Sequence, residues 1–557
     1  MTQTELSGSA YLANLMKEYG TTHAFFQEVM MRFTAKEAEQ LGLKFILAHS
    51  EGASGYMADG YARASGKPGF CLAQSIGAAN LVGGITDAFL ANSPVIAITG
   101  KKTPEFQYKN AYQETNHSKL FDAVTKFNAE LLDAQQLPFL IRQSYREAVT
   151  GKPGPVHLDI PDFIGVSTEL SAIKEPLVAE TIFGQMPPLR PSADPDLVAK
   201  AAQWMQESEK PLIVAGRGVF ISDAGDQVLE LARRTDTPVV TTPDGKTIMD
   251  ETDPLWAGIV GAYGMDSANQ AAMKADLVIF IGSQTSDQTT NNWISPKPKT
   301  RVIQIDIYAG ELGRSYPNSV GLLGDAKAVA QQLVAAVPAI SRPEWRAKVD
   351  GFVKDTLGKQ AERMADTATP IRTEFLCKTV SEVLPSDAIL VADTGYSAVW
   401  SATMIRMKKT QMYLRAAGSL GWSYPASLGA KCAMPNRPVV CFSGDGAFYY
   451  HLAEMETAMR YGINTVTIIN NNSMLSQCAP SMRVMYYEDP ESGMNRLKFG
   501  SVSFANLAKE FGLFALRVEQ PADLASALEQ ALSSDVPALI EVITADANTS
   551  VPLEPLE

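Results

Sequence analysis

Two short apolar runs near the C-terminus each close on residues able to hold a cation and an anion side by side. Arg437-Pro-Val-Val-Cys-Phe-Ser443 leads into Gly444-Asp445-Gly446-Ala447, and Thr465-Val-Thr-Ile-Ile469 leads into Asn470-Asn471-Asn472. Mg2+ demands near-octahedral oxygen ligands and usually takes only one or two carboxylates, completing its shell with phosphate oxygens and water. Asp445, the Asn472 amide oxygen and a nearby backbone carbonyl meet that demand. Glycines at 444 and 446 let the main chain approach a phosphate, and a helix starting there offers free N–H groups to an anion. A plain turn followed by polar loop residues has the same spelling, so spacing alone leaves both readings open.

The elements that must position these residues can be read from periodicity. Val439 to Phe442 and Thr465 to Ile469 are short, continuous and rich in β-branched residues, as parallel strands covered on both faces require. Between them Leu452, Met455, Met459 and Ile463 recur at helical spacing, with Gly462 as the stop. The loops of such a βαβ unit gather at the carboxyl ends of the strands, where open α/β sheets bind ligands. A second candidate lies far upstream, where the apolar run Phe45 to Leu47 is followed by Ala48-His49-Ser50-Glu51-Gly52 and a helical pattern. A glutamate directly after a buried strand loses solvation, which helps it keep or donate a proton near neutral pH. The alternative is a carboxylate that merely complements a helix dipole.

With 557 residues the chain exceeds a single core and implies three domains. A net charge of −13 without a basic stripe argues against a nucleic-acid partner. Five cysteines without Cys-x-x-Cys spacing indicate neither a disulfide framework nor a zinc site, and point to the cytoplasm. Met1 to Gly20 lacks the apolar stretch of a signal peptide, and runs such as Leu277 to Ile281 are too short to span a bilayer, so no membrane is expected. Prolines 176, 187, 188, 191 and 195, and a polar stretch over 338–370, divide the chain into 1–175, 196–337 and 370–557. Each block alternates short buried strands with amphipathic helices. The fold class expected is therefore α/β, with three doubly wound parallel-sheet domains.

Gly444-Asp445-Gly446, followed after twenty-four residues by Asn471-Asn472, resembles the thiamine-diphosphate motif of the family that includes acetolactate synthase, pyruvate oxidase, pyruvate decarboxylase and benzaldehyde lyase. The overall pattern is closest to the acetolactate synthases. The resemblance implies thiamine diphosphate with Mg2+ held by Asp445, Asn472 and the Met474 carbonyl. It implies that Glu51, nine residues before Gly60-Tyr61-Ala62-Arg63, bonds N1′ of the aminopyrimidine ring and so activates the cofactor. Gly395, Tyr396 and Ser397 resemble the loop that meets the diphosphate, joined by Gly444, Gly446, Ala447 and Leu475. Leu420, within Gly418-Ser419-Leu420-Gly421, stands where the family has a bulky apolar residue that bends the cofactor, so that proximity favours deprotonation. Gln74 to Leu81 and Gly154 to Pro161 also resemble the family's pyrimidine-binding domain. The middle block resembles the central domain that carries FAD in acetolactate synthase and pyruvate oxidase. Gly216-x-Gly218 is too short for a dinucleotide fingerprint, and both arginines expected around Gln284 are missing, which argues against FAD.

Departures cluster on the substrate side. Phe26-Gln27-Glu28-Val29-Met30 replaces a glycine-rich loop, Ser50 replaces a histidine, and Ser481 stands near the position of an acceptor-shaping tryptophan. Gln113 matches a substrate-side glutamine of acetolactate synthase and joins Glu51 and Leu420 as a catalytic candidate, while His117 could shuttle protons or cap the next helix. Phe25, Phe26, Gln27, Glu28, His117 and Gln477, with Leu475, are expected around a small carbonyl compound. The expected activity is carbon–carbon bond formation or cleavage on 2-oxo acids or related donors, as in a carboligase. The alternatives are a non-oxidative decarboxylase, an aldehyde or diketone lyase, a flavin-linked oxidase, or an inactive regulatory paralogue. The resemblance further implies a homodimer as the minimal unit and a homotetramer as the assembly.

Overall fold

A computed structural model of the chain describes residues 5–27, 30–161 and 166–546. Three six-stranded sheets, all parallel, form along the chain and are flanked by helices, as the sequence periodicity predicts. A short antiparallel pair, β1 (Leu6–Ser7) with β8 (Ala172–Ile173), ties the ends of the first domain together. The first sheet comprises β2 (His23–Phe26), β3 (Lys44–Leu47), β4 (Gly69–Gln74), β5 (Val95–Lys101), β6 (Phe127–Glu130) and β7 (Val156–Pro161). It runs in the order β3-β2-β4-β5-β7-β6. The third sheet comprises β15 (Ile389–Ala392), β16 (Met412–Arg415), β17 (Val439–Gly444), β18 (Val466–Asn471), β19 (Phe514–Val518) and β20 (Ala538–Ile543). Its order, β16-β15-β17-β18-β20-β19, is the same pattern.

The central sheet differs. It comprises β9 (Pro211–Ala215), β10 (Val239–Thr241), β11 (Trp256–Ile259), β12 (Leu277–Ile281), β13 (Arg301–Asp306) and β14 (Ser319–Leu323). Its order is β11-β10-β9-β12-β13-β14, which reverses direction between β9 and β12 as in dinucleotide-binding sheets. A 22-residue helix, Pro343–Met364, crosses the polar stretch that separates the second and third blocks in the sequence.

Buried strands explain the layers. Leu277–Ile281 and Ile389–Ala392 are buried along their whole length, so each needs helices on both faces. Helix Glu51–Ser65 of the first domain packs along helix Ser423–Ala433 of the third, and small residues permit the approach. A Cβ built on Gly60 would lie 2.0 Å from the Ala426 carbonyl oxygen, and one on Gly429 would lie 1.9 Å from that of Met57. Either methyl group would push the two domains apart.

Candidate active site

In the third sheet the strand order reverses between β15 and β17, and the loops after these strands meet there. Gly395, with φ of 71°, caps helix Tyr396–Thr403. Gly444 caps helix Asp445–Phe448, and a Cβ on it would lie 3.3 Å from the Ser397 hydroxyl. The main chain is therefore bare on both sides of the crevice, which suits an anion.

Asp445 opens the second helix and is 4% exposed. Its carboxylate accepts the amides of Gly446 at 2.7 Å and Met474 at 3.1 Å. Burial nevertheless pushes its pKa up to about 6, outweighing the surrounding amides. The three asparagines at and just after the end of β18 have separate tasks. Asn470 accepts from Thr544 at 2.6 Å, and Asn471 donates to the buried Glu541 at 2.8 Å. Asn472 instead lines a cleft of about 420 Å³ with Ser473, Met474, Arg483 and Lys498. Its amide nitrogen donates to Ser476 at 2.7 Å, which leaves its oxygen for another partner. Ser473 takes a φ of 58°, turning the chain so that Met474 reaches back to Asp445. Among the described residues no group of three or more His, Cys, Asp or Glu could hold a metal. A dication here would rest on one carboxylate and neutral oxygens, the donor set that suits Mg2+ beside a phosphate.

Next to this crevice, Leu420, Gly446, Tyr449, Tyr450, Leu475, Phe499, Gly500 and Val502 line a cavity of about 340 Å³. A Cβ on Gly446 would lie 2.7 Å from the end of the Leu475 side chain, so a larger residue there would displace that side chain. Ala447, buried one residue on, completes the short helix. The walls are apolar apart from the tyrosine hydroxyls, as a site for an aromatic or heterocyclic group would be.

Glu51 is the first residue of helix Glu51–Ser65, capped by Ser50, which accepts from Ala53 at 3.1 Å. It is half-buried beneath helix Ile76–Leu90, where Asn80 donates to it at 3.2 Å. A Cβ on Gly77 would lie 2.5 Å from Glu51 Oε1, so this glycine makes room for the carboxylate.

The substrate-side candidates do not form one group within the chain. Phe25 is fully buried against Tyr61, whereas Phe26 faces the other side of β2 and packs on Phe45. Gln27 donates to the Ala48 carbonyl. Glu28 lies outside the described residues. Gln113 takes a φ of 59°, and its buried Oε1 lacks a hydrogen-bond partner. His117 is 1% exposed; Asn116 caps its helix, His117 Nδ1 bonds Asp159 at 2.9 Å, and its Nε2 lacks a partner. Burial would raise the Asp159 pKa, but hydrogen bonding and charge from His117 hold it below the usual value. Gln477 belongs to a different neighbourhood. Its amide nitrogen donates to the Tyr263 hydroxyl of the central domain at 2.8 Å, and its side chain borders Gly395.

Four buried side chains at this junction escape sequence inspection. Asp59, Arg63 and Asp87 form ion pairs within the first domain, and the Trp422 indole of the third domain donates to Asp59. A signal did exist in Asp87, the single charged residue of the otherwise uncharged helix Ile76–Leu90.

Comparison with known proteins agrees with this architecture. Residues 6–120 match the family described as "Thiamine pyrophosphate enzyme, N-terminal TPP binding domain", residues 198–333 its central domain, and residues 393–542 its C-terminal TPP binding domain. A probable acetolactate synthase large subunit of Methanocaldococcus jannaschii is 33% identical over 525 residues, covering 92% of this chain and 87% of the relative. An acetolactate synthase of Arthrospira platensis is 30% identical over 552 residues, covering 96% and 94%. The large subunit of acetolactate synthase isozyme 1 of Escherichia coli K12 is 30% identical over 505 residues, covering 90% and 87%. The chain belongs to the thiamine pyrophosphate enzymes. Within that class it is an acetolactate synthase-like enzyme that makes or breaks carbon–carbon bonds.

Proposed function

We propose that the protein is a thiamine-diphosphate- and Mg2+-dependent carboligase that cleaves the C1–C2 bond of a 2-oxo acid with release of CO2, or the corresponding carbon–carbon bond of a related donor, and transfers the acyl carbanion equivalent to a second carbonyl compound, whose oxygen takes up a proton. The observation that carries this reading is the pairing of one buried carboxylate, Asp445, with the free amide oxygen of Asn472 at the reversal of the third sheet. Asp445, Asn472 and the Met474 carbonyl hold the cation, and the bare backbone of Gly395 and Gly444 receives the diphosphate, with Tyr396, Ser397 and Gly418 beside it. When bound, thiamine diphosphate supplies a nucleophilic carbon and an electron sink for the carbanion.

The chain's own residues set the conditions for that chemistry. Leu420 and Leu475 give the cofactor a bent, apolar seat. Glu51 holds a proton at the pyrimidine ring, and Asn80 fixes its orientation. Apolar walls limit water, so that the donor fragment meets an acceptor carbonyl before a proton. Gln113 and His117 each offer a buried polar atom without a partner, and we assign these to the substrate side.

Assembly as a dimer or tetramer follows from the same separation of sites. Gln113 stands in the first domain and Gln477 in the third, and exposed apolar side chains lie near each in sequence: Tyr108 is 94% exposed, Val484 76% and Tyr487 74%. A second chain would cover them and bring the two sets together. A cytoplasmic setting fits the five free cysteines, four of them buried. No helix among the described residues is long and apolar enough to cross a membrane.

FAD has no role in this proposal. A Cβ on Gly216 would lie 2.4 Å from the Gly282 carbonyl oxygen, and one on Gly218 would lie 2.6 Å from the Gly282 Cα. The loops after β9 and β12 thus touch through backbone at the reversal point of the central sheet. Purified protein should be colourless, and a yellow preparation with a bound flavin spectrum would refute this part.

The test of the whole is to supply the protein with thiamine diphosphate, Mg2+ and a panel of 2-oxo acids, diketones and aldehydes, and to identify products by mass. Mixed 2-hydroxy ketones or 2-hydroxy-2-alkyl-3-oxo acids are expected. Free aldehyde from a single donor, with no joined product, would replace carboligase by decarboxylase. Light scattering with and without cofactor would test the assembly.

A further inference from the structure

The loop that carries Leu420 is clamped between two buried carboxylates from different domains. Asp87 of the first domain accepts the amides of Ala417 at 3.0 Å, Gly418 at 3.1 Å and Ser419 at 2.9 Å. Asp393 of the third domain accepts those of Gly421 at 3.0 Å and Ser423 at 2.8 Å. Leu420 is the residue between the two grips. Asp87 and Asp393 both have 0% exposure.

Asp87 is itself braced. Arg63 donates to it at 2.9 Å, pairs with Asp59 on its own helix, and donates to the Arg415 carbonyl at 2.7 Å. Trp422 closes the ring by donating to Asp59 at 2.8 Å, beneath the Arg63 guanidinium. Such a buried cluster is costly to desolvate, and an apolar residue at 87 would pack the helix as well. What an apolar residue could not do is accept three successive amides inside the protein. The same helix, Ile76–Leu90, presents Gly77 and Asn80 to Glu51 near its start and Asp87 to the Leu420 loop near its end. One rigid element therefore sets the height of both groups.

We propose that Asp87 is a positioning residue of the reaction, fixing the 417–419 backbone from the first domain so that Leu420 stands at the height that bends the cofactor. The inference rests on the role given to Leu420 above. Asp87→Asn turns one acceptor oxygen into a donor facing amides, and so displaces the loop without changing side-chain size. Misplacement of a reacting group by about 1 Å can cost about a hundredfold in rate.

The experiment compares Asp87→Asn, Leu420→Ala and the double variant as full-length protein loaded with thiamine diphosphate and Mg2+. It measures kcat, the donor KM, and the near-ultraviolet circular dichroism of the bound cofactor's aminopyrimidine ring. Expected is a fall in kcat of about tenfold or more for Asp87→Asn, with the donor KM within about twofold and an altered dichroism band. In the Leu420→Ala background the same substitution should cost less than about twofold, because contacting sites are not additive when one acts through the other. An equal factor in both backgrounds, or unchanged kcat and dichroism, would overturn the proposal. Unchanged kcat and dichroism in Leu420→Ala alone would instead remove the role of Leu420 on which it stands. Should Asp87→Asn fail to fold, Trp422→Phe keeps the aromatic ring and deletes only the bond to Asp59. It should lower kcat severalfold with Leu420 present, and an unaltered kcat would count against Asp87.

Discussion

The first and third sheets share one strand order and present opposite chemistry at the carboxyl ends of their strands. In the third, the crevice holds bare glycines, a carboxylate buried to 4% exposure and a free amide oxygen, all suited to a cation and a phosphate. In the first, the helix after β3 starts with the half-buried Glu51, and Gly77 and Asn80 are fitted to that carboxylate. The central sheet has the dinucleotide-type order, yet Gly216 and Gly218 use their missing side chains to pack on Gly282. Topology creates a crevice in each domain, while the loop residues decide whether it receives a ligand, a proton or the protein's own backbone.

The comparison can be broken most directly at Glu51. Glu51→Gln should lower kcat by about 10² to 10⁴ while cofactor binding, followed by fluorescence quenching, persists. Unchanged turnover would place the proton chemistry elsewhere.

Two buried carboxylates sharpen the contrast through pH. In metal-free protein Asp445 has its pKa raised by burial to about 6 from 3.8. Its stabilising contribution is therefore complete below the unfolded value and is lost as pH rises through about 6. Asp159 has the opposite sign: its lowered pKa gives stability above the ordinary value that is lost on acidification. Asp445→Asn should thus stabilise the apoprotein at neutral pH, by about 3 kcal/mol at most, and Asp159→Asn should destabilise it. Urea denaturation between neutral pH and about pH 4 gives the Asp445 slope, and between about pH 4 and about pH 3 that of Asp159; slopes of the same sign would refute the contrast. Mg2+ with thiamine diphosphate should offset the Asp445 term at neutral pH.

Glycine substitutions separate the remaining roles. Gly218→Ala would force a methyl group into the Gly282 backbone and should cost about 1–3 kcal/mol of stability, with cofactor affinity unchanged. Gly77→Ala meets only the flexible end of Glu51, so its melting temperature should hardly move while kcat falls about tenfold, or about 1.4 kcal/mol. A stability loss at Gly77 equal to that at Gly218 would erase the distinction between a crevice that serves chemistry and one that is closed.

Much of the candidate site is legible in the chain because its residues are local to strand ends. Val439–Gly444 and Val466–Asn471 form where β-branched runs predict them, and Gly462 ends the intervening helix with φ of 61°. The separate tasks of Asn470, Asn471 and Asn472 are not legible, since they depend on Thr544 and Glu541, which arrive from a strand that is distant in sequence. Phe25 and Phe26, read together as pocket walls, fall on opposite faces of β2 because adjacent strand residues alternate. The Asp87 clamp stayed hidden because its partners lie more than three hundred residues away and are backbone amides, which carry no side-chain signature.

By itself the sequence determined the parallel α/β class, the three-block division of charge-poor strands, and the carboxylate, amide and glutamate whose types can serve a phosphorylated cofactor. These follow from local periodicity and from short motifs, where neighbouring residues carry the information. Only the tertiary structure decided which asparagine faces the cleft, that Gly216 and Gly218 pack on Gly282 at the central crevice, and that a carboxylate of the first domain grips the Leu420 loop of the third. Each of those depends on long-range packing, in which the energy of a buried polar group is set by the partner that the fold brings to it.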